Sequence, residues 1–394
     1  MYIEDGNMIQ YGKHWLDDDD IAAVTNVLKS DFLTQGPEVG TFEKALADYV
    51  GARYAVAMAN GTAALHLAVK ALELEKGKCG LTSPNTFAAS ANCFVYNELK
   101  PGFVDIDEKS YCMDPAELEK YITPLTKVVI PVHFAGQPAD MERIAAIIRK
   151  RHIHLIEDSS HAIGSKYENG QMVGSCCYAD MCTFSFHPVK TIGTGEGGAV
   201  TTNSKELYEK LLLLRNHGIT KDNSKFKNRD ALKTGPWYYE MQDLGFNYRL
   251  TDIQAALGTS QLKKITSFIK RRREIVNTYN TTFKHVSWLT IPYVRERVFS
   301  AFHLYVLKID FEQIGKTRTQ VMEELKTKGI GTQVHYIPVH LQPYYREHFG
   351  FKEGDFPKAE EYYRQCLSIP LYPKMTDDEV NQVIHAIHAI KDLK

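Results

Sequence analysis

The sequence predicts an α/β protein, with a large, mostly parallel sheet covered by helices and a smaller α+β unit at its C-terminal end. Two observations predict it. Between residues 54 and 157, short apolar runs bounded by turn residues alternate with amphipathic stretches. That alternation is the signature of right-handed strand–helix–strand crossovers. Past about residue 205 the pattern changes to long helices and then to a mixed segment. A chain of 394 residues has room for two domains. The expected division is residues 1–265 for the large unit and 266–394 for the small one.

The elements follow in order. Asp17 to Asp20 precede the apolar-periodic stretch Ile21 to Leu28, and acids suit the positive end of a helix. Phe42 to Tyr49 reads as a second amphipathic helix. Expected strands are Tyr54 to Ala59, Lys78 to Thr82, Phe103 to Ile106, Val128 to Val132 and His154 to Glu157. The helices between them are Thr62 to Leu72, Phe87 to Tyr96, Pro115 to Tyr121 and Met141 to Arg149. Thr183 to Phe186 and Ala199 to Thr202 flank a glycine turn and read as a hairpin-like insertion. Later helices are expected at Leu207 to Leu214, Ile253 to Ile265 and Ile275 to Phe283. The small unit has strands at Phe302 to Ile309 and Gln333 to Ile337 and a helix at Thr319 to Lys326. Its last helix opens with the capping-box pattern Thr376-Asp377-Asp378-Glu379.

Composition narrows the function. A formal net charge of −1 gives no one-signed field to draw nucleic acid or an anionic membrane. The run Lys270-Arg271-Arg272-Arg273 reads as the solvated face of a helix. Seven cysteines with no Cys-x-x-Cys pair argue against a disulfide framework or a structural zinc site. Met1-Tyr2-Ile3-Glu4-Asp5-Gly6 has neither a basic start nor an apolar core, so no signal peptide is expected. No apolar run is long enough for a bilayer. The expectation is a cytoplasmic protein.

In open α/β sheets, ligands bind at the carboxyl ends of the strands. Lys190 lies between the apolar Phe184-Ser185-Phe186 and the turn Gly193-Thr194-Gly195-Glu196-Gly197-Gly198. A lysine so enclosed loses its proton readily, and a neutral amine can form a Schiff base with an aldehyde. Asn60-Gly61-Thr62 stands between a strand and a helix, where a glycine and free N–H groups suit an anion; alone it reads as a plain helix cap. Asp158 and His161 follow a strand, and the carboxylate could pair with a ring nitrogen. Ser185 sits five residues before Lys190, where hydroxyl and amine could grip one small cofactor. Phe87 could stack on a planar ring, although alone it reads as a core residue. The glycine turn satisfies G-x-G-x-x-G, but a strand follows it where a dinucleotide site needs a helix.

Together these groups resemble a pyridoxal-phosphate site. Four motifs occur in order: Asn60-Gly61-Thr62-Ala63-Ala64-Leu65, Glu157-Asp158-x-x-His161-Ala162-x-Gly164, Ser185-Phe186-His187-x-x-Lys190 and Gly195-Glu196-Gly197-Gly198. The chain is similar to the nucleotide-sugar aminotransferases of the DegT/DnrJ/EryC1/StrS family from Leu33-Thr34-Gln35-Gly36-Pro37 to Val334-His335-Tyr336. The resemblance implies the aspartate-aminotransferase fold (type I) and pyridoxal 5′-phosphate held by Lys190. It implies that Asp158 pairs with the pyridine nitrogen, that His161 stands near the phenolic oxygen where many relatives have glutamine, and that Phe87 stacks on the ring. Gly61, Thr62 and Ser185 would hold the phosphate. Asn247, which alone reads as a turn residue, resembles an asparagine that reaches the phosphate of the neighbouring subunit, which implies a homodimer with shared active sites.

The family also implies L-glutamate as donor. Leu244 to Ile253 and Gly331 to Pro338 look closest to the branch that aminates C4 of a UDP-linked 4-keto-6-deoxy-N-acetyl sugar. Amination of the gluco-configured sugar, or at C3, uses much the same motifs. Tyr11, Lys13, His14, His335 and Tyr336 are the candidates for the sugar side. Rival readings are a sugar dehydratase, which resembles this family but carries histidine where Lys190 stands, and a non-enzymatic cofactor-binding scaffold or regulator. No metal site is expected.

Overall fold

The computed structural model describes residues 8–228, 230 and 235–391; the segment Met1 to Gly6 lies outside them. Helices α1 (Asp18–Leu28) and α2 (Pro37–Val50) lead into β1 (Tyr54–Met58), α3 (Gly61–Lys70), β2 (Cys79–Thr82), α4 (Ala89–Tyr96) and β3 (Lys100–Phe103). Then come α5 (Pro115–Tyr121), β4 (Thr126–Ile130), α6 (Met141–Arg149), β5 (His154–Asp158), β6 (Met181–Ser185), β7 (Gly198–Thr202) and α7 (Lys205–Arg215). A two-stranded pair, β8 (Ile219–Thr220) and β9 (Glu240–Met241), precedes the 32-residue α8 (Asp252–Phe283). The C-terminal part holds β10 (Leu289–Thr290), β11 (Tyr305–Ile309), α9 (Phe311–Ile314), α10 (Arg318–Thr327), α11 (Pro343–Phe349), α12 (Pro357–Gln365), β12 (Cys366–Ile369) and α13 (Asp377–His388).

The main sheet runs β1-β7-β6-β5-β4-β2-β3. Neighbours from β6 to β3 are parallel, and β7 is antiparallel to both β1 and β6. The mostly parallel sheet and the hairpin insertion are therefore both present. The centre of β4 is apolar on both faces, with Val128, Val129 and Ile130 fully buried. The small unit's sheet, β10-β11-β12, is antiparallel. It packs with α8, α10 and α13 through Tyr279, Phe283, Leu307, Val321, Leu325, Val383 and Ile387.

Several expected boundaries move. The edge strand β3 is Lys100–Phe103, three residues earlier than expected, and only an isolated bridge joins Ile106 to Met113. Phe87 precedes α4 instead of opening it, and the helix starts at Ala89. The strand expected from Phe302 begins at Tyr305, because Phe302 turns at a φ of 50°. Gln333 to Ile337 is not a strand; a single bridge joins Gln333 to Ser368. The two helices expected around residues 253–283 are one, α8, which opens on a Thr251–Gln254 capping box. Residue 265 falls inside it.

The basic run inside α8 is the largest correction. Arg272 is 1% exposed, not solvated. Its Nη1 donates to the carbonyls of His303 at 3.1 Å and Leu371 at 2.9 Å, with Phe302 at 3.4 Å. The Arg273 guanidinium lies 4.2 Å from the Phe299 ring centroid. Burial places these cations where loop carbonyls need donors. At the other end of the chain, Asp17 closes a capping box with Asp20, and buried Asp20 accepts from Gln261 and pairs with Lys264 at 2.6 Å. The acids that complement the dipole of α1 thus also fasten it to α8.

Candidate active site

A cavity of about 940 Å³ opens at the carboxyl ends of β1, β5 and β6, and Tyr11 and the segment 333–342 close its far wall. The elements deliver each group for a local reason. Asn60 caps α3 by accepting from the Ala63 N–H at 2.8 Å, so the first turn of α3 faces the cavity with Gly61 and Thr62. A Cβ on Gly61 would lie 2.8 Å from Ser185 Cβ, so α3 approaches the end of β6 as only glycine allows. The Ser185 hydroxyl consequently sits beside helix N–H groups that lack intrahelical partners. A Cβ on Gly198 would meet Asn60 O at 2.3 Å, so β7 approaches the same turn closely.

Lys190 follows β6 in a tight turn, its N–H donating to His187 O at 2.8 Å. Burial pushes its ammonium down to about 8, and Asp158 opposes this as the weaker influence. Asp158, the last residue of β5, accepts from Ser90 Oγ at 2.6 Å on one oxygen and from the Ser160 N–H at 3.1 Å on the other. The two donors fix the orientation of the carboxylate.

His161 Nδ1 lies 3.3 Å from the Ala135 N–H. A backbone N–H can only donate, so Nδ1 accepts, and the neutral ring carries its proton on Nε2, 3.1 Å from Tyr336 Oη. Burial first, then Lys190 and His335, hold His161 well below the usual histidine range. Burial and Lys190 likewise bring His335 down to about 3, and its Nδ1 is 2.7 Å from Ser368 Oγ. The Tyr11 ring lies 5.4 Å from that of His335.

The structure brings Gly61, Thr62, Phe87, Asp158, His161, Ser185, Lys190, Tyr11, His335 and Tyr336 to one cavity. Phe87 is 62% exposed and stands 6.3 Å, centroid to centroid, from Tyr336. Lys13 and His14 are exposed and do not line the cavity. Asn247 is also exposed, pairs in a bridge with Asn216, and does not reach its own chain's cavity. Sequence reasoning missed His303 and Tyr248 in the wall, and Ser90 behind Asp158. Ser90 carried a signal: a serine on the inward face of an expected helix needs a buried partner.

The residues present fit pyridoxal phosphate. An amine that sheds its proton near neutrality, a carboxylate fixed by two donors and an anion cradle at a helix start are the three groups that cofactor requires. Fold and site thus define a pyridoxal-phosphate enzyme of fold type I. Residues 15–388 match the DegT/DnrJ/EryC1/StrS aminotransferase family, and the chain belongs to that family.

Among curated proteins, it is 43% identical over 385 residues to the spore coat polysaccharide biosynthesis protein SpsC of Bacillus subtilis, covering 98% of this chain and 97% of that one. It is 39% identical over 374 residues to the UDP-4-amino-4,6-dideoxy-N-acetyl-beta-L-altrosamine transaminase of Campylobacter jejuni, covering 93% of each. Helicobacter pylori PseC, an aminotransferase of pseudoaminic acid biosynthesis, superimposes with a TM-score of 0.90 at 32% identity, covering 98% of this chain and 99% of that chain. The PLP form of the sugar aminotransferase Spr1654 of Streptococcus pneumoniae gives 0.89 at 30% identity over 98% and 99%. The chain is a pyridoxal-phosphate-dependent sugar aminotransferase. Among the described residues, no helix is long and apolar enough to cross a membrane.

Proposed function

We propose that the protein transfers the amino group of L-glutamate to C4 of a UDP-linked 4-keto-6-deoxy-N-acetyl-hexose of the β-L-arabino configuration. The observation that carries the reading is one cavity holding both Lys190, its pKa brought down to about 8, and Asp158. The likeness to the altrosamine transaminase supports the choice of sugar.

Lys190 holds the cofactor, Asp158 pairs with its ring nitrogen, Phe87 covers its ring and His161 stands near its phenolic oxygen. Gly61, Thr62 and Ser185 hold its phosphate. Bound there, pyridoxal phosphate supplies an electron sink that weakens bonds at the carbon bearing the amino group. Lys190 is the base that would take the proton from the donor's α-carbon. Ser90 and Ser160 hold Asp158 in place. Tyr11, His335 and Tyr336 face the sugar. Donor and sugar use one cavity in turn, which gives ping-pong kinetics.

Asn247 completes the site of a second subunit, so the working form is a homodimer with shared sites. Residues 1–265 carry the cofactor and 266–394 the covering unit, with α8 continuous between them. The working compartment is the cytoplasm.

A second reading keeps the reaction and changes the sugar, since SpsC is the more similar relative and its name specifies no sugar. The test is a panel of 4-keto and 3-keto nucleotide sugars offered with glutamate. Preferential amination of the β-L-arabino 4-keto sugar is expected; preference for a gluco-configured or 3-keto sugar overturns the assignment.

A further inference from the structure

We infer that His303 receives a carboxylate of the acidic amino donor and takes up one proton from solvent as that carboxylate enters. The inference rests on the donor reading above. An acidic amino acid brings two carboxylates into the cavity. Among the described residues, the wall holds no arginine and no lysine besides Lys190, which the cofactor engages; Glu196 adds a negative charge. Within one subunit, the receptor for the donor's anion has to be another kind of side chain.

His303 fits that need. It is 4% exposed, lines the cavity, and among the described residues its Nδ1 has no hydrogen-bond partner. A buried polar atom left unpaired is costly, and a ligand or ordered water normally answers it. The neighbouring rings are committed: His161 to the Ala135 N–H and Tyr336, His335 to Ser368. The His303 ring lies tilted at 40°, 4.4 Å centroid to centroid from that of His161, and remains free to become a double donor. Its backbone is fixed, since Arg272 Nη1 holds its carbonyl and a Cβ on Gly136 would lie 2.9 Å from its nitrogen.

The charges around it set the coupling. Burial first, then His161, Lys190, Arg272 of α8 and His335, all disfavour the imidazolium and keep the free ring neutral. Asp158 and the Tyr336 hydroxyl line the same cavity. A carboxylate arriving in contact favours the charged ring. The proton comes from solvent, and no bond to carbon forms or breaks. A keto sugar ring has no charge to drive the same uptake. One side chain thus serves both substrates in turn, charged for the donor and neutral for the sugar.

Glutarate, a dicarboxylate with no amine to react, is the probe. It is titrated into the holoenzyme by calorimetry at about pH 7, where free histidine chemistry is measurable, in buffers of differing ionisation enthalpy. Uptake of about one proton per glutarate is expected for the wild type. In His303→Gln, uptake disappears and affinity weakens about ten- to hundredfold, the worth of a charge-assisted hydrogen bond. In turnover, the variant's KM for glutamate rises while that for the keto sugar does not. Binding without proton uptake, equal uptake in His303→Gln, or no glutarate binding to the wild type overturns the inference. The donor reading is tested apart from this: if glutamate leaves the wild-type cofactor spectrum unchanged, the donor is wrong, and His303 stands or falls on glutarate alone.

Discussion

Ser90 Oγ donates to Asp158 Oδ2 at 2.6 Å, and the same hydroxyl lies 2.7 Å from Thr86 Oγ1. Helix α4 thereby fixes the carboxylate at the end of β5 from behind, and all three residues are buried. Ser90→Ala removes a hydrogen bond to a charged group, worth about 1.5–3 kcal/mol. The expected result is a fall in kcat of about tenfold or more with the fold retained. Steady-state kinetics beside circular dichroism check it; an unchanged kcat would show that Ser160 alone positions Asp158.

Asp158→Asn keeps the shape and deletes the charge. The turnover rate should drop by orders of magnitude while the melting temperature stays near that of the wild type. Equal rates would remove the electron-sink role from Asp158. Cofactor content, read from absorbance, separates a slow enzyme from an empty one.

Lys190 supplies the pH dependence. Its pKa falls from 10.5 to about 8 through burial. For a pKa of about 8, the neutral amine is about a tenth of the total at pH 7 and half at pH 8. Capture of pyridoxal phosphate by the apoenzyme should speed up about fivefold between those pH values and level off above about pH 9. Stopped-flow absorbance measures it; a rise that continues towards pH 10.5 means a solvated lysine. Linkage runs the same way: the unfolded chain binds the extra proton between about pH 8 and 10.5, so apoenzyme stability rises over that window. Lys190→Ala should show neither turnover nor the visible absorbance of bound cofactor.

Much of this was legible in the sequence, for physical reasons that also explain the failures. Strand β4 is buried on both faces at Val128 to Ile130, so its apolar run announced it, whereas β5 showed only Leu155 and Ile156 ahead of its buried acids. Strand β3 contains Pro101 and Gly102, which argue against a strand. As an edge strand, however, it has one side with no ladder to satisfy, and proline is tolerated there. Helix α8 looked like two because Lys270 to Arg273 break its apolar period. The break is real in the sequence, but Arg272 turns inward to loop carbonyls contributed by residues 302, 303 and 371, and no local pattern reveals such a partner. Lys190, Asp158 and Ser185 were read as site candidates because strand ends are where sites form, and they line one cavity. His303 was hidden inside Phe302 to Ile309, where a histidine among apolar residues reads as core.

Arg272 yields the last prediction. Its guanidinium is buried, faces carbonyls and, among the described residues, no carboxylate, and burial brings its pKa down to about 10. Arg272→Met fills much of the volume but leaves at least two buried carbonyls unpaired, at about 1–3 kcal/mol each. Part of that loss is offset because a buried, unpaired cation is itself expensive. The net expectation is a destabilisation of about 2 kcal/mol, seen as a lower denaturation midpoint with an unchanged m-value. Because the freed turn carries His303, the variant's KM for glutamate should rise as well. Arg272→Lys restores a cation but not the planar fork, and should recover only part of both losses. If Arg272→Met lowers stability and leaves the glutamate KM untouched, the turn at Phe302 and His303 holds its place without the guanidinium.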